Sequence, residues 1–276
     1  MPGHVPIGRI AALLAIVVGG VVVARGTREP RFHGVARGVE FGSLRGDRYC
    51  RQGSPEIGVV RLDPSQVSVH VHHYSLEAPR PLDILEWQRR TRALAVFNAG
   101  QYYPDWSYMG LLISGGRLVS NRLHPTFKAV LVAGPRSGRR DARVLDLDTD
   151  PVDMTCPAWR EAAQSFMLFD HGGTLRVKKT SQIAARTIVA EDHDHRLLVI
   201  TTEGAYTLYD IARLLKGSPL HLTHAMSMDG GSEAQLCVRA GSFHYASFGR
   251  WEPDAANDDL RAALVPLPAV VTVSER

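Results

Sequence analysis

Residues 67–73 read Val-Ser-Val-His-Val-His-His, with Val67, Val69 and Val71 alternating against Ser68, His70 and His72. Successive strand side chains point to opposite faces, so a period of two predicts a half-buried strand. Residues 57–62 precede it across Asp63-Pro64-Ser65, which predicts a hairpin with His70, His72 and His73 turned to solvent. Shorter apolar runs predict strands at 94–97, on both sides of Ser114-Gly115-Gly116, at 128–133 and at 144–148. Residues 186–191 and 196–201 predict a second hairpin over the polar tip 192–195. Two more strands flank the glycine turn at 230–231, and the apolar run 267–273 predicts a closing strand.

Helical signals are fewer. Residues 81–92 have proline in the first turn and Leu82 and Leu85 on one face. Thr207-Leu-Tyr-Asp210 is a capping-box relative with Asp in place of Glu, opening a helix whose apolar positions are Leu208, Ile211, Leu214 and Leu215. Gly217 and Pro219 end it. A further helical patch covers 258–264. The pattern predicts an α+β domain over 39–276, a strand-rich mixed or antiparallel twisted sheet with a few packed helices. No internal repeat or composition break asks for a second domain, and the polar Arg/Gly segment 27–38 reads as a linker.

The N-terminus changes the picture. Arg9 precedes residues 10–24, a run without charge. Fifteen helical residues rise about 22 Å, short of a bilayer core of about 30 Å. That length suits the apolar region of a signal peptide, with cleavage after Ala24. Val5 and Ile7 extend the run, so a retained membrane anchor is the alternative. Residues 1–26 are thus expected to export the chain, leaving the rest periplasmic, secreted or tethered to the membrane.

Hydrophobic residues make up 45% of the chain and charged ones 22%, which excludes disorder throughout. The net charge of +4 is scattered. Its densest group, Arg136, Arg139 and Arg140, lies in a Gly/Pro/Ser loop without zinc-finger spacing or RNA-binding aromatics, so nucleic acid is not an expected partner. Cys50, Cys156 and Cys237 allow one disulfide with one thiol over, and the pair stays open. The acid- and histidine-rich stretch 191–195 falls on the predicted hairpin tip and reads as an exposed turn. Residues 146–150 begin like a calcium loop, but Pro151 and Pro157 occupy the positions of its glycine and its last glutamate. That excludes an EF-hand and leaves a looser cation site open. No cofactor is required by the residues present, and a divalent cation is compatible with them.

Four stretches carry functional side chains where an apolar strand begins or ends. They are Phe97-Asn-Ala-Gly-Gln-Tyr-Tyr103, Gln164-Ser-Phe-Met-Leu168 with Asp170, His171 and Gly172 beyond, Ala185-Arg-Thr-Ile188, and Met226-Ser-Met-Asp-Gly-Gly-Ser-Glu-Ala-Gln-Leu236. In this order, over roughly residues 90–240, they resemble the phosphodiester glycosidase family. Two positions depart from its pattern: Phe166 stands where many members have glycine, and Glu233 where many have a second serine.

The resemblance implies cleavage of a sugar-1-phosphodiester at the anomeric carbon. Arg186 matches the family motif, and a guanidinium offers a permanently charged fork for phosphate. An oxocarbenium-like transition state calls for a carboxylate, with Asp229 first and Glu233 second. Gly230 and Gly231 would let the backbone approach and present N–H groups to phosphate. Asn98 would bind sugar hydroxyls or orient water, and Tyr102 and Tyr103 would stack on a sugar ring. Thr187, Ser232, Gln164 and His171 complete the expected binding set, with backbone bridging the alternative for Gln164 and Ser165. Two further readings stay open: a non-catalytic glycan-binding module and a phosphodiesterase that cuts P–O.

Overall fold

The computed structural model describes residues 30–136, 142–155, 157–249 and 264–276. In chain order its strands are β1 (His33–Ala36), β2 (Val39–Arg45), β3 (Glu56–Leu62), β4 (Val67–His73), β5 (Ala95–Asn98), β6 (Leu112–Ser114), β7 (Arg117–Ser120) and β8 (Ala129–Pro135). There follow β9 (Ala142–Asp146), β10 (Trp159–Phe169), β11 (Arg186–Asp192), β12 (Leu197–Thr202), β13 (Leu222–Gly230), β14 (Gln235–Ala240), β15 (Phe243–Phe248) and β16 (Ala269–Glu275). The helices are α1 (Tyr74–Glu77), α2 (Ile84–Thr91) and α3 (Leu208–Lys216), with a 3-10 turn at Gly231–Glu233.

The strands form two antiparallel sheets, where the pattern predicted one. The larger has eleven strands, in the order β1-β2-β3-β12-β11-β13-β10-β6-β7, with β8 also on β10 and β9 on β8. The smaller has five, ordered β15-β14-β5-β16-β4. Their inner faces share one core, in which Val60, Val189, Val199 and Met226 of the large sheet meet Val71, Phe97, Leu236 and Val271 of the small one. Ile211 and Leu215 of α3 cover the outer face of the large sheet with Ile188 and Ile200. Ile84 and Trp87 of α2 cover the small sheet through Val96 and Val270. Central strands therefore lose the alternation of a half-exposed strand: β11 and β12 are buried along their whole length. Each large apolar side chain so buried contributes about 1.5–3 kcal/mol.

The two-sheet arrangement explains several departures from the expected elements. Residues 63–66 do not close a hairpin. The chain turns there through Gln66 N–H to Asp63 C=O at 2.9 Å and leaves one sheet for the other. β3 pairs with β2 and β12, while β4 pairs with β16. His73 is buried, because its parity matches Val67, Val69 and Val71. It caps α1, accepting from Ser75 N–H. His72 bonds Glu77 at 2.7 Å, and only His70 faces solvent as expected. Residues 33–36, expected within a linker, form the edge strand β1.

α2 begins two residues beyond Leu82, because Asp83 and Glu86 form a reciprocal capping box. Its fully buried residues are Ile84, Trp87 and Gln88, and Leu82 and Leu85 pack partly buried against the same cluster. α3 starts at its Thr207 cap as expected. Asp210 does not complete the box: its carboxylate takes Arg51 at 2.7 Å. The acidic run 146–150 is partnered by Arg176, which reaches Asp146 at 3.4 Å and also Asp148. At the hairpin tip Asp192 is buried and accepts from Asp194 N–H and Arg196 N–H, while 193–195 are exposed. Cys50 and Cys237 hold free thiols. Cys156, the apolar run 10–24 and most of the 258–264 patch lie outside the described residues. Among the described residues no helix is long and apolar enough to cross a membrane.

Candidate active site

The first, third and fourth motifs meet where the two sheets come together at one end, and Ser165 of the second bonds the first and the fourth. β13 of the large sheet ends at Gly230, opposite Arg186 at the start of β11. The chain then passes through the 3-10 turn into β14 of the small sheet, beside β5. β5 ends at Asn98, and Asp229 N–H donates to Ala99 C=O at 3.1 Å. A turn that must leave one sheet and enter another within four residues is thus tied to the first motif by main chain.

Asn98 fixes that turn on both sides. It is buried, and its Nδ2 donates to the Asp229 carbonyl at 3.0 Å and the Ala99 carbonyl at 3.1 Å. Its Oδ1 accepts from Gln235 N–H at 3.1 Å. These contacts engage both ends of the amide and tie Asn98 to the main chain of Asp229 and Gln235.

Glycine is needed twice in the turn. A Cβ at Gly230 would stand 3.0 Å from both Ala185 O and Arg186 Nη1. Gly231 has φ +77°, a left-handed conformation that side chains resist. The expectation of free N–H donors fails at both. Gly230 N–H donates to the Asp229 carboxylate at 2.9 Å, and Gly231 N–H to Ala185 C=O at 3.0 Å.

Arg186 is buried and held by its backbone and side chain. Its N–H donates to Thr202 Oγ1 at 2.9 Å, Nε to the Tyr206 carbonyl at 3.0 Å and Nη2 to the Gln182 carbonyl at 3.3 Å. Nη1 lies against Gly230, and the guanidinium is within electrostatic reach of Asp229. Burial lowers its pKa to about 10, and the Asp229 charge opposes that shift. The guanidinium therefore stays cationic at neutral pH, fixed in one orientation.

Asp229 is the most perturbed acid here. Burial raises its pKa to about 7, with the Glu233 charge adding to the rise, while the Gly230 N–H and Arg186 pull the other way. Glu233 is itself oriented, accepting from Tyr102 Oη at 3.2 Å and from Ser232 Oγ at 2.9 Å. Burial and the two carboxylates push the Tyr102 hydroxyl well above the usual phenol range, so it remains a donor. A carboxyl near neutrality beside a second carboxylate and a fixed cation can exchange protons at the operating pH.

The other expected residues fall elsewhere. Gln164 lies in the middle of β10, not on a loop, and is fully buried. Its Oε1 accepts from Leu111 N–H and His124 N–H, both at 2.9 Å, and its Nε2 donates to the carbonyls of His124 and Phe127. It is a structural bridge, the alternative the sequence left open. Ser165 likewise bonds the Ser227 carbonyl. Thr187 is fully buried and, by strand alternation, shares the inner face of Val189. His171 packs against His224, rings tilted by 38° with centroids 3.8 Å apart, at the Glu191 end of β11. Five residues of strand separate that end from Arg186, roughly 17 Å. Phe166, the departure from the family pattern, packs its ring on Phe127 at 4.3 Å.

Sequence reasoning missed the frame around the motifs. Gln101 Nε2 donates to the Met228 carbonyl at 3.3 Å, and its Oε1 accepts from Ser165 Oγ at 3.0 Å. Tyr108 accepts from Gly100 N–H and donates to the Gln164 carbonyl, both at 2.9 Å. The signal was present, since Gln101 is inside the first motif and Tyr108 follows it closely. Main-chain partners such as Tyr206 O leave no trace in side-chain identity.

Asp229, Glu233 and the buried Arg186 thus lie together at the junction of the two antiparallel sheets. The chain belongs to the phosphodiester glycosidase family, whose model matches residues 91–266. No curated protein sequence matches it. Its fold is similar to that of the catalytic domain of zebrafish N-acetylglucosamine-1-phosphodiester alpha-N-acetylglucosaminidase, in a form auto-inhibited by its pro-peptide. The TM-score is 0.63 at 18% identity, covering 91% of this chain and 89% of that one. A hypothetical protein from Synechocystis is similar at a TM-score of 0.56 and 11% identity, over 90% of this chain and 64% of that one.

Proposed function

We propose that this protein hydrolyses a sugar-1-phosphodiester by breaking the glycosidic C–O bond. The observation that carries the reading is the junction that brings Asp229 to Arg186 and Glu233, tied by Asn98, where burial raises Asp229 to about 7. Arg186, its Nε and Nη2 tied to main-chain carbonyls, meets the phosphate with Nη1 and its fixed charge. Asp229, protonated, gives its proton to the oxygen that leaves with phosphorus. Glu233, beside it, stabilises charge on the ring and takes a proton from the water that adds to C1. One C–O bond breaks and another forms, releasing a phosphate monoester and a free sugar. Solvent returns the proton from Glu233 to Asp229. The sequence reading put Asp229 first at the anomeric carbon; its raised pKa favours the proton-donor role instead.

The apolar run 10–24 supports an exported or membrane-tethered protein, so the substrate we propose is a cell-envelope or extracellular glycan. The purified full-length protein is offered a sugar-1-phosphodiester, a UDP-sugar and an aryl glycoside. Turnover of the phosphate-linked sugars and not of the aryl glycoside is expected. Turnover of none of the three, at any pH from 5 to 8 by about unit steps, overturns the reading.

A further inference from the structure

We propose that Trp106, with Tyr102, forms an aromatic floor for the sugar, so that the substrate crosses the turn in one direction. Phosphate lies toward Arg186 and the sugar toward Trp106. This rests on the function proposed above and adds its substrate polarity and a specificity residue.

The order of groups comes from their contacts. Asp229 interacts electrostatically with both Arg186 and Glu233. Arg186 Nη1 lies against Gly230, and Glu233 accepts from Tyr102 Oη at 3.2 Å. The Tyr102 ring in turn packs against that of Trp106, with centroids 5.4 Å apart and planes tilted by 33°. The site thus runs from cation through Asp229 and Glu233 to aromatic rings. An aromatic face carries negative quadrupole density, which repels a phosphate anion and attracts the C–H face of a pyranose or a cationic ring carbon. Only one direction of the substrate satisfies both ends.

Trp106 is also held in place at some cost. Its φ of +69° is a left-handed conformation, an outlier for a bulky side chain. The loop that imposes it is closed by Tyr103 N–H to Ser107 C=O and Trp106 N–H to Tyr103 C=O, both at 2.8 Å. Asp105 accepts from Ser107 N–H at 3.0 Å and from Ser107 Oγ at 2.6 Å. A bridge between Tyr102 and Tyr108 shuts the base. Trp106 stays partly exposed beside Tyr102, the donor to Glu233. Strain concentrated next to a catalytic group is where a binding role is expected.

The test uses the full-length protein and its Trp106→Ala, Trp106→Phe and Arg186→Ala variants, each checked for cooperative thermal unfolding. Binding of methyl phosphate and of a monosaccharide panel (glucose, galactose, N-acetylglucosamine) is measured by ligand-observed NMR, and kcat and KM are measured on the sugar-1-phosphodiester. Trp106→Ala is expected to weaken binding of the panel's best sugar at least about tenfold, the loss of roughly 1.4 kcal/mol, and to leave methyl phosphate binding unchanged. Arg186→Ala reverses the pattern, and Trp106→Phe retains most sugar binding. Equal loss of both ligands in Trp106→Ala, unchanged sugar binding, or no sugar bound by the wild type overturns the proposal. Sugar binding lost in Trp106→Ala without turnover by the wild type keeps the floor and removes the hydrolase reading.

Discussion

Asn98 Nδ2 donates to the main-chain carbonyl of Asp229 at 3.0 Å, across 131 residues of sequence. The contact ties the first family motif to the last and sets the height of the proposed acid over the sheet junction. Removing it strands the Asp229 carbonyl and the Gln235 N–H, each at about 1–3 kcal/mol when buried. Asn98→Ala is expected to lose roughly 2–6 kcal/mol by urea unfolding. Its kcat falls at least about a hundredfold, as expected when a reacting group is misplaced, with KM little changed. A variant of wild-type kcat would remove Asn98 from the site's frame.

Arg186 makes directed bonds from Nε and Nη2 to main-chain carbonyls, leaving Nη1 at the site. A lysine supplies one point charge and cannot keep this fork. Arg186→Lys is therefore expected to be nearly as inactive as Arg186→Ala, each losing about a hundredfold or more in kcat/KM. Salt-free kinetics on the phosphodiester check this, and rescue by lysine would contradict the fixed-fork account.

The pH dependence follows from Asp229, whose folded pKa of about 7 lies above the ordinary carboxylate range. The active form is protonated, so kcat/KM falls as pH rises through about 7. Glu233→Gln removes the like charge that adds to the rise and so moves Asp229 down. Residual activity of that variant loses its alkaline limb at lower pH, which a pH–rate profile measures. A limb that moves up or stays contradicts the coupling.

Stability carries the same sign. The unfolded Asp229 ionises near its ordinary range, the folded one near 7, so stability drains as pH rises between them. Asp229→Asn removes this penalty. The variant's gain over wild type is expected to be small at pH 4 and to reach about 1–4 kcal/mol by pH 8. Thermal melts across that range measure it, and a gain largest at low pH is the opposite result.

Gln164 separates a structural motif residue from a binding one. Its amide makes bonds to Leu111, His124 and Phe127 with both ends engaged. Gln164→Ala is expected to cost about 2–4 kcal/mol and to leave kcat of the folded fraction within about threefold, under 1 kcal/mol. A stable variant with KM raised tenfold would return Gln164 to the substrate.

Much of this frame was legible in the sequence, and the losses have physical causes. The strand run of β11 and β12, the α3 cap at Thr207 and the closing strand β16 follow from local pattern. The β3–β4 hairpin failed because local alternation does not say which sheet a strand joins. Residue 73 needed only its parity, since seven residues of strand put His73 with the valines. Asp229, Arg186, Glu233 and Tyr102 converge as the motif order suggested. Motif order could not separate side chains facing the site from Thr187 and Gln164, buried inside it, or from His171, at the far end of β11. Trp106 went unseen because its orientation depends on a left-handed loop closed by main-chain bonds.

The most direct test of the central claim is hydrolysis of a sugar-1-phosphodiester in ¹⁸O-water by wild type and Asp229→Asn, with the label located by mass spectrometry. The account predicts label in the released sugar and none in the phosphate, with Asp229→Asn slower by at least about a hundredfold. Label in the phosphate, or a variant as fast as wild type, would contradict it.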